Sequence, residues 1–233
     1  MLLVLAPCAQ AQYATQANAN AGNTNTAALS TGDAGKTDAS TANITAKTLL
    51  VLGDSLSAGY GMPIDKSWPA LLEQALKQMP SQAVNSFQVD NISISGETTD
   101  GGLARLPSAL QRSGASVVLI ALGGNDGLRG KSLTRIENNL DAMINIAQQA
   151  GAEVILAGIH IPPNFGPRYT QGFHAIYAKL AARHKLALLP FLLEGVATDR
   201  KLMQADGLHP TANAQPRIRD NVLATLLPVL QAH

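Results

Sequence analysis

From Thr48 onward the chain alternates between two textures of hydrophobic spacing. Leu49-Leu50-Val51-Leu52 is a short unbroken apolar run ending at Gly53, the pattern of a strand buried on both faces. Trp68, Leu71, Leu72, Ala75, Leu76 and Met79 then recur at i, i+3, i+4, i+7, i+8 and i+11, one face of a helix, with Ser67 placed to cap its start. Phe87 to Ser95 reads as extended chain. Leu103, Leu106 and Leu110 predict a helix ahead of the strand Val117-Val118-Leu119-Ile120-Ala121-Leu122. Ile136, Leu140, Met143, Ile144 and Ala147 predict another, stopped by Gly151, before Val154-Ile155-Leu156 returns to strand texture. Residues 170–184 read as helix, Leu186 to Leu189 as a short strand, and 212–231 as a final helix. Parallel strands need crossover connections of helical length, so this alternation predicts an α/β fold with a parallel sheet covered by helices on both faces. The chain from Thr48 onward suffices for one such domain.

The upstream residues follow a different logic. Residues 1–11 form an apolar stretch ending in Ala9-Gln10-Ala11, the small-residue pattern of an export-signal cleavage site, although no cationic residue precedes the apolar run. Cleavage there would leave Gln12 first and place the mature protein in the periplasm or outside the cell. Cys8 suggests a lipoprotein anchor, but Pro7 stands where a small residue is required. Residues 12–47 are mostly Ala, Thr, Asn, Gly, Ser and Gln, with Tyr13, Leu29 and Ile44 the bulky apolar exceptions. Such a segment cannot bury enough surface to offset its ordering entropy, so it is expected to be a disordered linker ahead of a domain over 48–233. Gly35-Lys36-Thr37 resembles the end of a phosphate-binding loop, but Ser30 occupies the place of the first glycine and no strand precedes it. Asn43-Ile44-Thr45 fits the glycosylation triplet, and a chance match explains it.

Composition narrows the function classes. Seventeen Lys and Arg balance sixteen Asp and Glu, only 14% of residues are charged, and there is no basic block to neutralise phosphates, so nucleic-acid binding is not expected. One cysteine builds neither a disulfide framework nor a thiolate zinc site. His160, His174, His184 and His233 have no metal-ligand spacing with another His or Cys, and no metal or other cofactor is expected.

In an open α/β sheet, ligands sit beyond the carboxyl ends of the strands. Four blocks of polar and glycine residues occupy such places: Gly53-Asp54-Ser55-Leu56-Ser57, Ser95-Gly96-Glu97-Thr98, Gly123-Gly124-Asn125-Asp126, and Asp206-Gly207-Leu208-His209-Pro210. Taken singly each has an ordinary explanation: a cap, a turn, a buried amide, a local hydrogen bond. Together they supply the parts for acyl transfer. Ser55 offers a nucleophile and His209 a general base; Asp206, three residues earlier, can hold the imidazole in the tautomer that accepts the serine proton. The amides of Ser55 and Gly96 and the side chain of Asn125 can donate to an oxyanion, and Gly96 lacks the Cβ that would obstruct close approach.

These four blocks, in this order, resemble the SGNH hydrolases, also called GDSL esterases and lipases. Leu56-Ser57-Ala58-Gly59-Tyr60, Gly102-Leu103-Ala104-Arg105-Leu106-Pro107 and Gly127-Leu128-Arg129-Gly130 strengthen the likeness to the bacterial periplasmic acyl-CoA thioesterase I/lysophospholipase L1 (arylesterase) branch, over about residues 48–231. The resemblance implies a flavodoxin-like three-layer α/β/α fold, catalytic Ser55, Asp206 and His209, an oxyanion hole from Ser55, Gly96 and Asn125, and no metal. A Gly-x-Ser-x-Gly elbow is absent, which argues against an α/β-hydrolase.

Four of the aromatic residues, Phe165, Tyr169, Phe173 and Tyr177, are spaced by four. Phe173 and Tyr177 read as a core stripe, whereas Phe165, in a proline-rich loop after a strand, is a candidate for lining an acyl pocket. Leu128 is a second candidate. The loop Gly127 to Ser132 has glycines that permit closure over a chain, and Arg129 reads as a solvated surface residue. The expected activity is hydrolysis of carboxylic ester and thioester bonds through an acyl-enzyme. The expected partner is a small acyl ester or thioester, bound by a monomer with no stable membrane insertion after processing. Alternatives are a carbohydrate O-acetylesterase of the same fold and a non-catalytic binding module on a tether.

Overall fold

The computed structural model describes residues 46–233. The apolar stretch at 1–11, Cys8, Gly35-Lys36-Thr37, Asn43-Ile44-Thr45 and the polar segment up to residue 45 lie outside the described residues; Lys47, read as the end of the linker, is instead the first residue of the first strand.

In chain order the elements are β1 (Lys47–Gly53), α1 (Ser55–Ala58), α2 (Trp68–Lys77), α3 (Gln82–Asn85), β2 (Phe87–Asn91), α4 (Thr99–Ser113), β3 (Val117–Ala121), α5 (Gly124–Leu128), α6 (Leu133–Gln149), β4 (Glu153–Ala157), α7 (Pro167–His184), β5 (Ala187–Leu189) and α8 (Gln215–Gln231). The five strands are all parallel, in the order β2-β1-β3-β4-β5. Every residue of β3 is buried, as its unbroken apolar run requires of a central strand covered on both faces. Helices α2, α3 and α8 pack as one group, and α4, α6 and α7 as another, giving the layers of a three-layer α/β/α fold. The predicted helix stripes face this core: Trp68, Leu72 and Leu76 are buried on α2, and Ile136, Leu140, Met143, Ile144 and Ala147 on α6.

The strand order reverses at β1, which connects outward to β2 and then, through α4, inward to β3. Gly53 pairs with Ala121 across β1 and β3. The loops that follow, Asp54-Ser55 and Leu122 to Asn125, therefore leave the sheet side by side at the switch point, where an open α/β sheet forms its crevice.

In two local details the structure departs from the sequence pattern, and in one it bears that pattern out. Ser67 precedes α2, but its hydroxyl donates back to the Ile64 carbonyl at 2.6 Å; the Trp68 N–H is instead satisfied by Oε1 of Gln215, from α8, at 2.9 Å. A buried partner distant in sequence has displaced the local cap. The extended segment after Phe87 keeps pairing past the end of β2, with the N–H groups of Ile92 and Ile94 donating to Val51 and Gly53. Helices α1, α3 and α5 were not predicted, because four or five residues are too few to show a helical period.

Candidate active site

Ser55 is the first residue of α1. Asp54, in extended conformation, caps that helix by accepting from the Leu56 N–H at 3.0 Å. The turn from buried strand to helix thus presents the Ser55 side chain at the crevice. Its hydroxyl lies 2.8 Å from Nε2 of His209, and Nδ1 of His209 lies 2.6 Å from Oδ2 of Asp206. The other carboxylate oxygen of Asp206 accepts from the N–H groups of Leu208 and His209 at 2.9 and 3.0 Å. The His209 backbone N–H, the imidazole and the Leu208 N–H together hold the Asp206 carboxyl down at about 2. An ionised Asp206 accepts a hydrogen bond from the Nδ1–H of His209, which leaves Nε2 free to accept from the serine hydroxyl.

Asn125 sits in α5, and its Nδ2 donates to Oδ2 of Asp54 at 3.3 Å. The N–H groups of Ser55 and Gly96 have no hydrogen-bond acceptor among the described residues. Gly96 occupies a bend with φ of 80°, and a Cβ there would meet nothing within 4 Å. Glycine suits this left-handed backbone. Arg129 lies beside that bend, donating to the Gly96 carbonyl at 3.4 Å.

A cleft opens at this point, with Ser55, Asn125 and His209 in its wall beside Leu128, Ile159, Ile161, Pro162, Leu193 and Leu208. Phe165 is not part of that wall. After Pro162, a 3-10 turn over Pro163–Phe165 carries its ring into a separate depression with Leu133 and Tyr169. Phe173 and Tyr177 are buried in the core, and the Tyr177 hydroxyl donates to the Leu122 carbonyl at 2.9 Å. The segment 127–132 is tied to its surroundings at several points. Gly127 and Leu128 belong to α5, Lys131 pairs with Asp100 and Asp126 at 3.0 and 3.1 Å, and the Tyr169 hydroxyl donates to the Lys131 carbonyl at 2.7 Å.

His160 lines part of the cleft wall. Its ring is sandwiched between Phe191 and His174, with centroids 4.0 and 4.1 Å away, and burial pushes both imidazoles down from their ordinary values. His184 pairs with Asp141 at 2.8 Å and His233 lies 3.4 Å from Glu153. Among the described residues there is no cluster of three or more side chains able to hold a metal ion.

Two carboxylates matter more than their place in the motifs suggested. Asp126 is fully buried and accepts from both the N–H and the hydroxyl of Thr99, at 2.8 and 3.0 Å, tying α5 to the start of α4 just beyond the Gly96 bend. Asp54 is buried, and burial pushes its carboxyl up from the usual 3.8 to about 6 against the opposing effect of the Leu56 N–H, His209 and Asn125. Only the immediate neighbourhood of Ser55 in a motif signalled Asp54; the depth that perturbs it comes from packing.

The raised Asp54 value has a measurable consequence. Below about pH 4 the folded and unfolded chains both hold the proton, and above about pH 6 neither does; between these the folded chain alone holds it, so this group makes stability fall as pH rises. Two pH units correspond to about 3 kcal/mol. Asp54→Asn keeps an oxygen for the Leu56 N–H and removes the titration. Denaturation of both proteins at pH 4 and 7 is expected to show the variant gaining about 3 kcal/mol relative to the parent at the higher pH. A relative gain by the parent would mean that Asp54 is held ionised.

Comparison with known proteins places this geometry. Residues 51–215, which include Ser55, Gly96, Asn125, Asp206 and His209, match the GDSL-like lipase/acylhydrolase family. The chain is 48% identical over 185 residues to "Esterase TesA" of Pseudomonas aeruginosa, covering 79% of this chain and 90% of that protein. It is 45% identical over 185 residues to "Thioesterase 1/protease 1/lysophospholipase L1" of Escherichia coli (strain K12), covering 79% and 86%. The crystal structure of TesA superposes with a TM-score of 0.75 at 48% identity, over 78% of this chain and 99% of that one. A parallel sheet with a serine, histidine and aspartate converging at its switch point, matched along most of its length by acylhydrolases, leads to one assignment: the chain belongs to the GDSL-like lipase/acylhydrolase family.

Proposed function

We propose that the protein hydrolyses carboxylic ester and thioester bonds of small acyl substrates through an acyl-enzyme on Ser55. The observation that carries this reading is the unbroken chain of contacts Ser55 Oγ, His209 Nε2, His209 Nδ1, Asp206 Oδ2, at 2.8 and 2.6 Å. Ser55 Oγ attacks the acyl carbon as its proton passes to Nε2 of His209. The developing oxyanion accepts hydrogen bonds from the Ser55 and Gly96 amides and from Nδ2 of Asn125. The bond to the leaving oxygen or sulfur then breaks as Nε2 returns the proton to it, and water repeats the two steps on the acyl-enzyme. Asp206 stays ionised throughout and stabilises the imidazolium that forms. The relatives' names, an esterase and a thioesterase/lysophospholipase, support both leaving-group classes.

The apolar wall of Leu128, Ile159, Ile161 and Pro162 supports an acyl chain longer than acetyl. Across p-nitrophenyl esters from acetate to palmitate, kcat/KM is expected to rise by up to roughly four-fold per methylene until the cleft is filled. Release of thiol from acyl-thioesters of the same lengths is expected to follow the same order. A preference for acetate that declines with every added carbon would move the reading to a carbohydrate O-acetylesterase.

Among the described residues no helix is long and apolar enough to cross a membrane. The Ala9-Gln10-Ala11 pattern supports action outside the cytoplasm, and N-terminal sequencing of the protein recovered from a periplasmic extract tests it.

A further inference from the structure

His209 reaches Ser55 from a loop in which Ala205 to Leu208 are all exposed. The three bonds that Asp206 receives are local, spanning two or three residues. Local bonds set the shape of such a loop and leave its position against the nucleophile undetermined. Gln204 supplies that position. Its N–H donates to the His209 carbonyl at 2.7 Å and its carbonyl accepts from the Gly207 N–H at 3.0 Å, which closes the base of the loop. Its Nε2 donates to the Pro210 carbonyl and to the Tyr60 carbonyl, each at 3.0 Å. Tyr60 lies in the turn after α1, the helix that Ser55 begins, and its ring packs against the His209 imidazole, centroids 4.3 Å apart and planes tilted by 35°.

Gly61 makes room for this contact. With φ of 74°, a Cβ there would lie 2.6 Å from Oε1 of Gln204. One planar carboxamide, with its two N–H groups aimed at two carbonyls, therefore joins the loop that carries the base to the loop that carries the nucleophile.

We propose that Gln204 is a positioning residue for His209: it clamps the Asp206–His209 loop to the Ser55 turn and so sets the distance over which the serine proton is transferred. The proposal rests on the hydrolase reading above. Proton transfer depends steeply on that distance, and displacements of about 1 Å remote from the chemistry cost as much as 100-fold in rate. Gln204 does not itself line the cleft and makes no hydrogen bond to Ser55, so its effect belongs in kcat and in the reactivity of Ser55, not in ground-state binding.

The test uses Gln204→Met, close to glutamine in volume and without donors, beside the parent. Three quantities are read on each protein: p-nitrophenyl ester kinetics, the rate of fluorophosphonate labelling at Ser55, and the end-point of that labelling, which counts competent sites. The expected result is a fall of roughly 10- to 100-fold in per-site kcat and in labelling rate together, with KM changed by no more than about two-fold. Gln204→Glu, which presents oxygens to the same two carbonyls, is expected to lose at least as much. Parental per-site rates in Gln204→Met, with or without a lower end-point, would overturn the clamp and leave Gln204 a purely structural residue. A loss confined to KM would overturn it as well. A parent that does not label at Ser55 would overturn the hydrolase reading, and the clamp with it.

Discussion

Ser55→Ala is expected to reduce ester hydrolysis by on the order of 10³-fold or more while the protein folds as before. The expectation follows from what the hydroxyl does and does not do in the structure. Its one hydrogen bond goes to Nε2 of His209. The helix that Ser55 begins is capped by Asp54, not by Ser55, so removing the hydroxyl leaves the turn intact. Alanine is also a good helix former, and the fold cost is expected to stay within about 0.5 kcal/mol. The oxyanion donors and the cleft survive the substitution, so a residual rate roughly 10³- to 10⁴-fold above the uncatalysed one is expected to remain. Initial rates on a p-nitrophenyl ester and a thermal melt on the same preparation read both effects. An alanine variant with activity within ten-fold of the parent would remove Ser55 from the nucleophile role.

Asn125→Ala is expected to lower kcat by about 10²- to 10³-fold, equivalent to about 3–4 kcal/mol of barrier, with a small effect on KM. The carboxamide already donates one N–H to Oδ2 of Asp54, which orients the group before substrate arrives and leaves the second N–H for charge that develops only at the transition state. Interactions realised only there appear in kcat. The same substitution takes a hydrogen-bond donor from the buried Asp54, whose value at about 6 already reflects scarce stabilisation of its charge. A modest loss of stability at neutral pH, on the order of 1–2 kcal/mol, is therefore expected alongside the kinetic defect. Steady-state kinetics with denaturation curves separate the two. A loss in KM with unchanged kcat would make Asn125 a ground-state binding residue and leave the oxyanion to the two backbone amides.

The two predictions differ in how far the sequence alone could carry them. Ser55, His209 and Asp206 were visible because each stands in a short block at the end of a predicted element, and because the pair Asp206 and His209 is close enough in sequence to meet through local geometry. Asn125 was visible in the same way. The Asp54 contact that orients it was not, since nothing in Gly53-Asp54-Ser55 states how deeply the aspartate is buried. Phe165 shows the converse. Its position after a strand and between prolines suggested the acyl cleft, but the turn over Pro163–Phe165 directs the ring elsewhere and leaves Pro162 in the wall.

By itself the sequence determined the alternation of strands and helices, the buried faces and the residues able to perform acyl transfer, because hydrophobic period and turn chemistry act over a few neighbouring residues. Tertiary structure alone decided the contacts between residues more than a hundred positions apart: Ser55 with His209, Trp68 with Gln215, and Tyr60 with Gln204. Such contacts depend on how the sheet orders its strands and on which loops that order brings together at the switch point, and no local spacing encodes the distance between two loops.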